Sequence, residues 1–210
     1  MFNRKFITTA GIIVLSLFLF AVFPASGAFQ RMVSSLTFLL VIPVLYIKIV
    51  LKEDLKDYGV QKGNWKKGLL WGGLSLFICL LALYLLKNYT NFFKVYSPPD
   101  LVKNRFILFV PYELFFVGFF AALYEFFYRG FAMLGLFRKF GYLAILGQFV
   151  LLLAFLAITG NVNWEFVPYL IASPLAGITT FQSRSLYWSF AASLLFFIIT
   201  DAVIIGFVKT

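Results

Sequence analysis

The chain contains no histidine and a single cysteine, Cys79. Histidine is the commonest metal ligand and the side chain that titrates near neutral pH, so its absence removes most zinc centres and any imidazole proton relay. A metal site built here would have to use carboxylates and carbonyls alone, and no cofactor is expected. Cys79 lies inside an apolar run, has no second cysteine to pair with, and reads as a small core hydrophobe. Charge is scarce too: 12% of residues are charged, with 8 Asp+Glu against 18 Lys+Arg and a net charge of +10. Soluble domains carry about 25% charged residues. No stretch is polar enough to form a water-exposed basic domain, so no nucleic acid is expected as a partner. No internal repeat is visible, which leaves an inverted-repeat transporter unsupported.

What the chain does have is apolar length. Hydrophobic residues make up 62%, aromatic residues 21%, and the mean hydropathy is +0.95. That composition belongs to a polytopic membrane protein whose first partner is the lipid bilayer. A span needs about 20 residues. The apolar runs predict an all-α membrane helix bundle of about seven transmembrane helices, at residues 6–23, 33–51, 68–86, 106–137, 142–159, 166–181 and 186–208. The first run lies between Arg4-Lys5 and Pro24-Ala25-Ser26-Gly27-Ala28, a pattern open to reading as a signal peptide. Its apolar stretch exceeds the about 7–15 residues of a signal core, which favours a retained span. Pro43 is tolerable inside the second span because neighbouring helices can satisfy the freed carbonyl. Ser97-Pro98-Pro99-Asp100 cannot continue a helix. With a cytoplasmic N-terminus, one side collects Arg4, Lys5, the lysines from Lys48 to Lys67, Arg138, Lys139 and Arg184. The other collects Arg31, Lys87, Lys94, Lys103, Arg105 and Lys209, an imbalance of about two to one. The positive-inside rule supports that orientation in a cell membrane. Residues 1–104 read as N-terminal spans with a cytoplasmic basic loop, and 105–210 as a helical core.

Residues 106–137 carry only three charges, Glu113, Glu125 and Arg129. An ionisable residue inside a span costs about 2.5–3.5 kcal/mol on insertion scales and marks function by default. Glu125 and Arg129 stand four apart with the acid first, so their side chains meet on one helix face. The same spacing also lets two charges neutralise each other in hydrocarbon, and both readings stay open. At 1.5 Å per residue the segment would reach about 48 Å against a hydrocarbon core of about 30 Å. It must tilt, project or break, and Gly130 is the expected break. Counted inward from the helix ends, Glu125 lies about 20 Å deep, Arg129 and Ser193 about 14 Å, and Asp201 about 25 Å. Glu125 and Asp201 are therefore expected to line one polar cavity if the fourth and seventh helices are neighbours. Asp201 reads as a neutral, hydrogen-bonded carboxyl, Glu113 and Glu165 as interfacial, and Gln148 as an interhelical donor.

Tyr124-Glu125-Phe126-Phe127-Tyr128-Arg129-Gly130 resembles the first motif of the CPBP family, the CAAX proteases and bacteriocin-processing enzymes, which reads Glu-Glu, three residues, Arg, Gly. The continuation through Leu136-Phe137-Arg138-Lys139-Phe140-Gly141 is similar to that family's pattern. So is Gly177 followed by Gln182-Ser183-Arg184-Ser185-Leu186-Tyr187-Trp188. Leu55-Lys56-Asp57-Tyr58-Gly59-Val60 and Lys66-Lys67-Gly68-Leu69 look like the loop ahead of its central bundle. The resemblance covers residues 105–206 and only weakly the first hundred. It implies an intramembrane endopeptidase fold in which a glutamate activates water, assisted by histidines from two further helices and an Asn or Asp, often with a metal.

Carried over position by position, that site is depleted. The family's base falls on Tyr124, while Glu125 and Arg129 are retained. The second-motif histidine falls within Phe155-Leu156-Ala157-Ile158-Thr159, the third on Ser193, and the residue four further on is Phe197. Groups that act as a unit lose essentially all their rate when several are removed. The expectation is a catalytically inactive relative, without family-type zinc, that binds a membrane peptide or protein partner in the vestigial cleft, in bacteriocin immunity or regulation. The rivals are an active endopeptidase using Glu125 with Asp201, and a small transporter or channel using Glu125, Arg129 and Asp201.

Overall fold

The computed structural model describes residues 4–96, 98–99, 102, 106–160 and 163–208. Among them the regular structure is helical throughout. The principal helices are α1 (Arg4–Val22), α2 (Ala28–Leu51), α3 (Trp65–Tyr89), α4 (Phe109–Phe140), α5 (Leu143–Ile158), α6 (Val167–Ser183) and α7 (Leu186–Val208). Five of these, α1 to α4 and α7, are long and apolar enough to cross a membrane. The two remaining expected spans are helices of 16 and 17 residues. Glycines in the left-handed region, Gly141 before α5 and Gly160 after it, bound α5. Ser97 and Asp100 of the expected turn lie outside the described residues, as do Lys103, Arg105, Lys209 and the side chain of Glu165.

Contacts sort the connections into two ends. At the basic end Lys5 pairs with Glu53, Asn64 N–H donates to the Ser183 carbonyl, and Leu186 N–H donates to the Gly59 carbonyl. Trp188 Nε1 reaches the Lys62 carbonyl at 3.0 Å. At the far end Phe92 meets Trp164, and Tyr96 bonds Asp201 on the last turns of α7. Neighbouring α5 and α6 run antiparallel between these ends: Gln182 bonds Tyr142 at one level, and Gln148 bonds Ser173 deeper in.

The core is built around α4, which touches α1, α2, α5, α6 and α7. Every residue from Glu125 to Leu134 is buried. An amphipathic surface helix would show one buried stripe, so burial all round marks a helix enclosed by its neighbours. Gly130 does not break it. The helix continues from Phe109 to Phe140, wound with i→i+5 bonds over Tyr112–Val117 and Glu125–Phe137. The glycine serves a close approach instead: a Cβ on Gly130 would stand 2.8 Å from the Tyr58 carbonyl oxygen and 3.1 Å from Leu186 Cδ1. Apolar side chains such as Phe18, Phe77, Phe115 and Val150 cover the outside. That is the inverse of a soluble surface and the ordinary face of a protein solvated by lipid.

Candidate functional site

The i, i+4 spacing of the α4 acid and base places them where a helix demands. Arg129 Nη1 lies 3.3 Å from Glu125 Oε1. The carboxylate is then completed from α7, where Ser189 Oγ donates to Oε2 at 2.7 Å and Ser193 Oγ to Oε1 at 3.1 Å. Thr180 on α6 donates to Ser189 at 2.7 Å, so the chain of hydroxyls is anchored in a third helix. Arg129 also reaches the Ser173 carbonyl on α6 at 3.4 Å, and Gln148 on α5 donates to that carbonyl at 3.2 Å. Ser173 Oγ returns a bond to Gln148 Oε1. Four helices are therefore tied through one buried polar network, and Glu125 is only 2% exposed.

Glu125, Arg129, Ser193 and Gln148 thus come together as residues of one site. Tyr124, at the position of the family's base, is partly buried and stacks on Tyr128 with ring centroids 5.7 Å apart. Beside the ion pair, Tyr128 Oη and Arg129 Nε are buried without a hydrogen-bond partner. They border a cavity of about 10 Å³ that is also lined by Tyr124, Leu152, Phe166 and Tyr169. One water needs roughly 10–15 Å³ and a ligand site typically 300–1,000 Å³, so there is no room at the pair for a peptide.

Asp201 does not join this site. Leu186 packs on Gly130, so α7 begins level with the middle of α4's last turns and not with Phe140. Counting depth from helix ends assumes those ends are level, and here they are not. With α4 and α7 antiparallel, Ser189 and Ser193 come opposite Glu125, while Asp201 comes opposite Glu113, a further three turns along. Asp201 Oδ1 accepts from Tyr96 Oη at 2.7 Å, and its carboxyl lies near that of Glu113. Glu113 is 1% exposed, and neither of its oxygens finds an N–H or hydroxyl donor. It is a buried residue that faces α7.

Ser189, Thr180 and Ser173 escaped sequence reasoning. Ser185, Ser189 and Ser193 recur every four residues, a polar stripe along α7 that periodicity could have exposed. Tyr96 gave no such signal, being separated from Asp201 by over a hundred residues.

The metal implied by the CPBP resemblance does not fit the donors at Glu125. Its two oxygens already accept from Arg129, Ser189 and Ser193, and a guanidinium stands where a dication would bind. Among the described residues, no three of His, Cys, Asp and Glu gather in a group suited to a metal ion. Compared with protein-family models, curated proteins and solved structures, the chain matches none. Fold and composition define the class: an integral, multi-pass, all-α membrane protein.

Proposed function

We propose that this protein is a non-catalytic, seven-crossing membrane protein similar to the CPBP proteases, with residues 105–210 as its core. In this reading the retained Glu125–Arg129 motif clamps helices together and does not hydrolyse peptides. The observation that carries it is the saturation of Glu125. A general base must reach a water that in turn reaches a substrate carbonyl. This carboxylate is committed to three donors in a closed site whose adjoining space suits one water. A membrane peptide or protein partner, in immunity or regulation, would then engage the outer helical surface without entering the Glu125 site. Purified protein incubated with labelled transmembrane peptides is expected to release no more product than Glu125→Gln. Cleavage that disappears in that variant would restore the endopeptidase reading.

A transport reading is favoured by a different observation, the Glu113–Asp201 contact. Two carboxyl groups buried close together within a span are the kind of pair from which a proton relay is built. Proton flux into liposomes that is lost in Asp201→Asn and kept in Glu125→Gln would select this reading over the first.

A further inference from the structure

At the basic end a cleft of about 690 Å³ opens between the first turn of α1, the 53–58 segment and the end of α4. Its size lies within the range of small-molecule sites. Its walls divide by chemistry. Arg138 and Lys139 supply cations on one side, and Phe6, Leu134 and Leu136 supply apolar surface. Of the two acids in the wall, Glu53 is already occupied by the Lys5 ammonium and the Tyr58 hydroxyl. Asp57 is the second carboxylate of the wall. Among the described residues no ion pair joins Arg138 to an acid. Its charged neighbour is Arg184, whose Nη1 is buried without an acceptor. Burial first, and Arg138 second, hold that guanidinium below its ordinary range.

The rim runs directly into lipid-facing surface. The Lys139 ammonium lies 3.8 Å over the Phe6 ring, and Phe6 meets Phe140 edge to face. Beyond them Ile7, Phe140 and Leu143 are 62%, 41% and 64% exposed. A soluble anion would use the cations and leave this apolar track unused. A molecule with an anionic head and a hydrocarbon tail uses both. Basic pockets between helix ends are the places where lipid head groups are held.

We propose that this cleft is a binding site for an anionic phospholipid, its phosphate between Arg138 and Lys139 and its acyl chain along Phe6, Ile7, Phe140 and Leu143. The site stands apart from the Glu125 network and holds whether or not that network is catalytic. The test is thermal unfolding of the full chain in neutral micelles containing phosphatidylcholine, with and without phosphatidylglycerol. Wild type should gain on the order of 5 °C at saturating phosphatidylglycerol, by linkage of binding to folding. Arg138→Gln/Lys139→Gln should lose most of that increment. Lys66→Gln/Lys67→Gln, at the same end but outside the cleft, should keep it. Each increment is taken over the variant's own melting point in phosphatidylcholine, so altered basal stability does not obscure it. Arg138→Gln alone, on an exposed side chain, gives the same reading if the double variant fails to fold. The proposal is overturned if the cleft variants keep the increment, if the control pair loses as much, or if inorganic phosphate alone matches the lipid.

Discussion

Glu125 and Arg129 illustrate how differently two charges behave as a pair and apart. Glu125→Gln leaves a buried cation without its counter-charge, and breaking a buried pair costs about 3–5 kcal/mol. Replacing both partners, as in Glu125→Gln/Arg129→Gln, removes the orphan as well. The double variant should therefore unfold at a higher temperature than Glu125→Gln alone, a coupling that a double-mutant cycle reads directly. With Arg129→Gln measured alongside, a double-variant loss equal to the sum of the two single losses would show that the pair contributes no interaction energy. The pair itself was legible in the sequence because its geometry is local, set by one helical turn. The company it keeps was not. Ser189 and Asp201 sit on the same helix, yet one completes Glu125 and the other meets Glu113. That sorting depends on where α7 begins relative to α4, which no spacing within either helix encodes.

Individual helices are positioned by small residues and by one clasp. Gly130 reads from sequence as a breaker, and its actual role is visible only once Tyr58 and Leu186 are seen against it. Gly130→Ala would drive a methyl into the Tyr58 carbonyl oxygen, and overpacking against backbone costs about 1–3 kcal/mol. Gly73 on α3 has nothing within 4 Å of a built Cβ, so Gly73→Ala should be neutral or stabilise by up to about 1 kcal/mol. Thermal unfolding of the two variants separates close approach from mere helix propensity. The 53–58 segment that presses on Gly130 is held by Glu53. Burial would raise its carboxyl, but hydrogen bonds from Lys5 and Tyr58 outweigh that and hold it below its ordinary 4.5. A depressed acid contributes stability that is present above its unfolded value and is lost as pH falls through the folded one. Amide protection at residues 55–58, with exchange corrected for its intrinsic pH dependence, should be lost on acidification below Glu53's ordinary 4.5. In Glu53→Gln protection should already be low at neutral pH and flat with pH. An unchanged pH profile in that variant would remove Glu53 as the acid-labile element.

Across the whole molecule, the apolar runs located every principal helix, and two of those helices, of 16 and 17 residues, are shorter than a span needs. A helix of 16 residues spans about 24 Å, short of a hydrocarbon core of about 30 Å. Crossing then requires local thinning of the bilayer, which costs fractions of a kcal/mol per Å. The antiparallel contacts of α5 with α6 place the 138–141 turn and residue 163 at opposite ends of the bundle, the arrangement that the seven-crossing proposal requires. Cys79 is 3% exposed, so single cysteines introduced elsewhere report accessibility against a silent background. With a membrane-impermeant maleimide on intact cells, Lys94→Cys and Asn163→Cys should label, and Lys62→Cys and Lys139→Cys only after the membrane is opened. Labelling of Asn163→Cys together with Lys139→Cys, from either side, would reduce the crossings from seven to five. The inverse pattern at all four positions would keep seven crossings and turn the basic cleft outward. Anionic lipid would then have to reach it from the opposite leaflet.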